Sequence, residues 1–223
     1  MEVASNIKIN AATCSRIMAV LVEKGYIDKV SRNLGYVPGP ALFSLNIYHS
    51  PYSQIIKASE DSIRNLAIKT QSLVNISVMK NSYRYILYYY TGNPYMDTAA
   101  IEIRNQYPYA SATGLLLLSA SSKKEIGSII DKWGVPERYN DRPMEKESFG
   151  EELKKIASQE LINFKQDDVW VLGGLIKTEL YPPLAIGFAI DSEKKLEESV
   201  LLLKGTISEI KEKLTFNKKS VLY

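Results

Sequence analysis

The sequence predicts an α+β protein, and three observations carry that prediction. Near the N-terminus a short amphipathic helix is followed by two short strand-like stretches and a Pro38-Gly39-Pro40 stop. Of four later stretches, Leu73–Lys80 alternates apolar and polar residues, 84–91 is dense in strand-favouring residues, and Val169–Ile176 and Leu184–Ile190 are almost continuous apolar runs. Around them run segments whose apolar residues recur every three or four positions, the spacing of a helix with one buried face. Strands in hairpin pairs with helices between them give an antiparallel sheet flanked by helices.

The helix near the N-terminus starts at Asn10, whose side-chain oxygen can accept a first-turn amide. Cys14, Ile17, Met18 and Leu21 form an apolar face. The opposite face, Ala11, Ala12, Ser15, Arg16 and Ala19, is slim and carries few donors, as entry into a DNA major groove requires. Gly25 stops the helix. Tyr26, Ile27 and Val30 alternate with Asp28 and Lys29 as in a half-buried strand. A turn at Ser31-Arg32-Asn33 leads to a partner strand through Leu34-Gly35-Tyr36-Val37.

This run, 9–39, resembles the winged helix-turn-helix of the IclR (isocitrate lyase regulator) family of transcription factors. The likeness lies in Leu21-Val22-Glu23-Lys24-Gly25-Tyr26-Ile27, Tyr36 and Gly39-Pro40. It implies DNA contacts from Asn10, Ala12, Thr13, Ser15 and Arg16, with Arg32 or Asn33 in the wing. In that family two helices precede the recognition helix, whereas residues 1–8 hold only the end of the second. The expectation is therefore a winged helix-turn-helix shortened at its N-terminus.

At 223 residues the chain is long enough for one or two domains. The expected division is 1–48, DNA-binding, and 49–223, effector-binding. The net charge of +3 is mild. Residues 1–40 hold five Lys/Arg against three Asp/Glu, so most of the excess sits on the proposed DNA-binding piece. A single cysteine excludes an intrachain disulfide, and Cys14 is expected in the core. No signal peptide is visible and no apolar run is long enough to span a bilayer, so a cytoplasmic protein with no membrane partner is expected.

Further along, 41–49 suggests a short helix interrupted by Pro51, and 53–70 a longer one with Ile56, Ile63, Leu66 and Ala67 inward. Asn81-Ser82 turns Leu73–Lys80 back into 84–91. The three tyrosines at 88–90 alternate faces and so cannot form one stacking platform. A third strand is expected at 99–104. Helices follow at Lys123–Trp133 and 148–161, with a loop at 134–143 between them. Leu196, Val200, Leu203, Ile207, Ile210 and Leu214 form a heptad seam behind a Ser192 cap, expected to lie on the sheet.

The stretch 107–114, Tyr-Pro-Tyr-Ala-Ser-Ala-Thr-Gly, opens an apolar helix with small residues. Small side chains leave first-turn amides accessible to an anion, and they equally permit close packing. The resemblance extends here, because Pro108, Ala110, Ala112, Thr113 and Gly114 match the family phrase beside its effector pocket. Tyr109 stands where the family has His and Leu115 where it has Lys, so carboxylate, apolar and aromatic ligands all stay open. Gly173-Gly174 and Gly187 in apolar strands suggest a close approach by backbone or ligand. The resemblance makes the two strands the back wall of the pocket, with Asp167 or Asp168 beside it. The expected effector-binding residues are Ser111, Ala112, Thr113, Gly114, Asp168, Gly173, Gly174 and Ala189.

No phosphate loop, nucleophile elbow or Cys/His metal spacing occurs, and no catalytic site, metal or cofactor is expected. The expected function is promoter binding by a homodimer or tetramer on double-stranded operator DNA, modulated by a small metabolite. The alternative is a metabolite-sensing or dimerisation protein that does not bind DNA.

Overall fold

The computed structural model describes residues 2–31, 35–44, 50–95, 104–105, 107, 109, 111–139 and 142–216. The chain forms two compact units, Met1–Ser50 and Pro51–Tyr223.

In the first unit, helix α1 (Glu2–Asn6) precedes helix α2 (Ala11–Glu23). Asn10 caps α2, its side-chain oxygen accepting from the Ala12 amide at 2.7 Å. At the other end Gly25 adopts φ +71°, and the Gly25 and Tyr26 amides close back onto the Val22 and Leu21 carbonyls. This pairing satisfies the last carbonyls of the helix and requires a left-handed residue after the cap. Strand β1 (Ile27–Ser31) then pairs antiparallel with β2 (Gly35–Pro38), and a five-residue helix α3 (Pro40–Ser44) follows. The Gly39 amide donates to Tyr26 and the Ala41 amide to Gly25, tying the exit of the wing to its entry.

Burial in this unit differs from the expectation. Cys14 and Ala4 are buried, but Ile17 is 46% exposed and Val20 52%. Met18 and Leu21 are half-buried. The wing strands are exposed apart from Ile27 and Gly35, so β1 is not the half-buried strand its alternation suggested. The reason is that no second layer covers the hairpin among the described residues of this unit.

The second unit is a six-stranded antiparallel sheet in the order β5-β4-β3-β10-β9-β8. Its strands are β3 (Leu73–Lys80), β4 (Tyr83–Thr91), the two-residue edge strand β5 (Arg104–Asn105), β8 (Leu161–Gln166), β9 (Val169–Ile176) and β10 (Leu184–Ile190). A separate two-residue pair, β6 (Arg138–Tyr139) with β7 (Arg142–Pro143), lies in what reads as a loop. Helices α4 (Pro51–Thr70) and α8 (Leu196–Phe216) pack on one face with Val74, Ile76, Val78, Leu184, Ile186 and Phe188. Helices α5 (Ala112–Ser119), α6 (Lys123–Trp133) and α7 (Lys146–Ala157) cover the other, with Ile162, Phe164, Leu175 and Ala185.

Local chemistry explains most boundaries. Pro51 opens α4 instead of breaking a helix, because a first-turn residue has no intrahelical amide bond to lose. Asn81 and Ser82 both take positive φ, the twist a two-residue hairpin needs. Ser122 and Glu125 form a reciprocal capping box on α6. The seam Leu203, Ile207, Ile210 and Leu214 is buried on the sheet.

Two boundaries shift. Ser192 precedes a 3₁₀ turn (Glu193–Lys195) and makes no side-chain cap, and α8 begins at Leu196. The helix expected over 148–161 is Lys146–Ala157, and Leu161 belongs to β8. There Ile162 and Phe164 are buried while Asn163 and Lys165 face out, a period of two that a short edge strand shows only weakly. The expected strand at 99–104 lies outside the described residues except for Arg104, which pairs with Tyr85. No described helix is long and apolar enough to cross a membrane.

Candidate functional site

In the first unit the proposed DNA-facing residues sit on the opening turns of α2. Asn10, Ala12, Ser15 and Arg16 are exposed and Thr13 is half-buried. Capping engages the oxygen of Asn10, so its outward chemistry is that of an amide donor. Arg32 and Asn33 lie outside the described residues.

In the second unit the site grows from strand alternation. In β3, Val74, Ile76 and Val78 face α4 and α8, which turns Asn75, Ser77 and Met79 toward α5. The antiparallel register sets Met79 opposite Arg84 on β4, and Asn75 opposite Gly187 on β10. Arg84 is only 7% exposed. Its Nη1 donates to Thr113 Oγ1 at 3.0 Å, Ser77 Oγ at 3.2 Å and Asn75 Oδ1 at 3.4 Å. Asn75 is held in turn, donating to the Gly187 carbonyl at 3.2 Å and accepting from Ser77 at 2.9 Å.

Thr113 comes from the first turn of α5. Ser111 caps this helix, accepting from the Gly114 amide at 3.1 Å, and lies 3.2 Å from Thr113 Oγ1. Residues Ala112 to Leu118 are all buried, so the helix is apolar all round and can sit only between two layers. Its seat is the pair Gly173 and Gly187, neighbours in the β9–β10 ladder. A Cβ on Gly187 would meet Thr113 Cγ2 at 2.7 Å, and one on Gly173 would meet Ala112 Cβ at 2.8 Å.

The structure thus groups Ser111, Ala112, Thr113, Gly114 and Gly173, with Ala189 half-buried two residues beyond Gly187 on the same sheet face. It does not bring Gly174 or Asp168 to them. Gly174 faces the other layer, where a Cβ would run into Ile207 of α8 and Leu161. Asp168 is exposed in the β8–β9 turn, beside Asp167 at φ 53°. The close approach the glycines permit is that of helices.

Asn75, Ser77 and Arg84 escaped the sequence reading. For Asn75 and Ser77 a signal was present, since both fall on the parity opposite Val74, Ile76 and Val78, while Arg84 lies in the next strand and shares no such pattern. That parity reads as solvent-facing unless the strand is known to be central and covered on both faces.

Electrostatically, a buried guanidinium and the amide-rich first turn of α5 converge at Thr113. Both favour an anionic oxygen. Leading into α5 is an aromatic group in which Tyr107 and Tyr83 meet Trp133 edge-on, with ring centroids 5.7 and 6.1 Å away. Tyr109 packs on Phe149 at 6.0 Å and donates from its hydroxyl to the Trp133 carbonyl at 2.8 Å. Burial raises the pKa of the Tyr109 hydroxyl, keeping it a donor. Lys132 Nζ lies 4.6 Å from the Trp133 ring.

Comparison by sequence finds nothing: no protein-family model and no curated relative matches this chain. Comparison by structure does. An IclR homolog from Microbacterium hydrocarbonoxydans, solved in complex with 4-hydroxybenzoate, superposes with a TM-score of 0.75 at 13% identity, covering 95% of this chain and 89% of that one. The IclR protein of Thermotoga maritima gives 0.61 at 21% identity, covering 96% and 89%. An IclR transcriptional regulator from Alicyclobacillus acidocaldarius gives 0.75 at 12% identity, with the same coverage. Over at least 95% of its length, the chain has the fold of the IclR transcriptional regulators.

Proposed function

We propose that this chain is a DNA-binding transcriptional regulator whose promoter binding is modulated by a small metabolite in the Pro51–Tyr223 unit. The observation that carries the reading is the structural likeness over at least 95% of the chain, which takes in the helix and wing of the first unit as well as the sheet of the second. Residues Asn10, Ala12, Thr13, Ser15 and Arg16, with Arg32 and Asn33, are the proposed DNA contacts. Exposed small residues beside a single cation suit a helix that must approach base edges closely.

The proposed effector site is Ser111, Ala112, Thr113 and Gly114 over Gly173 and Ala189, joined by Asn75, Ser77 and Arg84. A carboxylate is the favoured ligand class. Arg84 and the α5 amides supply the charge, and the bound 4-hydroxybenzoate of the Microbacterium protein is of that class. A homodimer or tetramer would set two recognition helices on two half-sites, and the ligand would shift their spacing.

The test is binding of the chain to duplex DNA from upstream of its own coding region, against a scrambled duplex, across a salt series. Preference for its own DNA at moderate salt supports the reading. Equal binding that vanishes with salt would be the phosphate contribution alone and would overturn it. One observation favours the second reading, a sensor that does not bind DNA. Val3, Ile7, Ile17 and Val20 are each 46% exposed or more, an apolar surface suited to protein rather than DNA.

A further inference from the structure

We infer that the Ser111 hydroxyl is the ligand-facing donor of the effector site, and that Arg84 is a positioning residue that aims it through Thr113. The inference rests on the effector-site reading above and deepens it.

It follows from counting hydrogens. A guanidinium only donates. Thr113 Oγ1 therefore accepts from Arg84 at 3.0 Å and keeps one hydrogen of its own. A single hydrogen lies between Thr113 Oγ1 and Ser111 Oγ at 3.2 Å, and its direction decides the rest. Were Ser111 the donor, the hydrogen of Thr113 would be left in a side chain 2% exposed, with no further acceptor among the described residues. A buried hydroxyl hydrogen without an acceptor carries its full desolvation penalty, which disfavours that direction.

With Thr113 as donor, Ser111 accepts twice, from Thr113 and from the Gly114 amide at 3.1 Å. Both of its lone pairs are then used. Its own hydrogen points away from the relay, and Ser111 is the half-buried member of the pair. The donors run in one direction, from the buried charge through Thr113 to Ser111, and each bond polarises the next. Asn75 and Ser77 hold Arg84 in place for this. What Ser111 recognises must therefore be an acceptor, such as a carboxylate oxygen.

The test uses two substitutions that both preserve the helix cap. Asn and Asp are each good N-caps, so Ser111→Asn and Ser111→Asp keep the bond to the Gly114 amide. Asn offers an NH₂ to the ligand and Asp only a negative oxygen. Binding of benzoate and pyruvate to the full chain is measured by calorimetry against the neutral benzamide and pyruvamide, with thermal unfolding as the control for folding. The wild type should bind at least one anion and neither amide. Ser111→Asn should stay within about threefold, and Ser111→Asp should weaken binding about tenfold or more, as expected for loss of a charge-assisted bond. Thr113→Val, which keeps the shape and cuts the relay, should also weaken it, and Thr113→Ser should restore it.

Anion binding by Ser111→Asp equal to wild type, anion binding by Thr113→Val equal to wild type, or wild-type preference for the amides would overturn the inference. So would failure of the wild type to bind either anion. The same samples are tested on the upstream duplex. DNA release by a neutral compound alone would remove the relay and leave the regulator. Anion binding in the expected pattern with no DNA binding would remove the regulator and leave the relay.

Discussion

Arg84 on β4 and Thr113 in the first turn of α5 are joined by a hydrogen bond of 3.0 Å, across 29 residues of sequence. Among the described residues Arg84 is the only buried charged side chain. Three oxygens accept from its Nη1, which has two hydrogens, so at least one bond is shared. Arg84→Met should remove a charge-assisted anchor and strand those acceptors, a loss of about 2–3 kcal/mol. Urea unfolding would measure it, and a midpoint unchanged from wild type would contradict this role.

The Gly187 seat makes a sharper prediction. Gly187→Ala should destabilise by about 1–3 kcal/mol, because its Cβ meets both Thr113 Cγ2 and the Leu172 carbonyl oxygen of the neighbouring strand. Thr113→Ser removes Cγ2, so the double variant should recover part of the loss. A double-mutant cycle reports that coupling, and strict additivity would show that the methyl and the glycine do not meet.

On α2, Arg16→Glu should abolish binding to the upstream duplex while circular dichroism stays as in wild type, since the side chain is exposed. Arg16→Ala should have the same effect through loss of a contact without added repulsion. Unchanged affinity in both would remove α2 from the DNA interface.

Tyr139 links pH to stability. Burial, with a smaller contribution from the Glu152 charge, pushes its hydroxyl up to about 12. The unfolded tyrosine ionises near pH 10, so between about pH 10 and 12 the unfolded chain has fewer bound protons and stability falls as pH rises. Tyr139→Phe should flatten that slope in denaturation midpoints taken at pH 9 and 11. An equal slope in both proteins would place the phenol in water.

The capping box of α6 is testable on its own. Ser122→Ala removes the acceptor for the Glu125 amide and should cost about 1 kcal/mol in thermal or urea unfolding. The hydrogen bonds from Ser122 hold the Glu125 carboxyl below the usual carboxylate range. This contribution is therefore present near neutral pH and lost as pH falls through the lowered value.

The sequence by itself determined what depends on neighbours along the chain. Leu73–Lys80, Val169–Ile176, Leu184–Ile190 and Lys123–Trp133 are legible as elements, because side-chain period, turn residues and caps act within a few positions. The cap at Asn10 and the stop at Gly25 are legible for the same reason. Only the tertiary structure decided which face each polar residue meets. Arg84 and Asn75 look like ordinary solvent-facing strand residues until α5 covers that side of the sheet. Gly173 and Gly174 look alike in sequence, yet successive strand residues point to opposite faces, so one seats α5 and the other seats α8. Ile162 and Phe164 show too short an alternation to mark β8 until β9 lies beside them. Such partners are set by packing between distant segments, and local pattern carries no record of it.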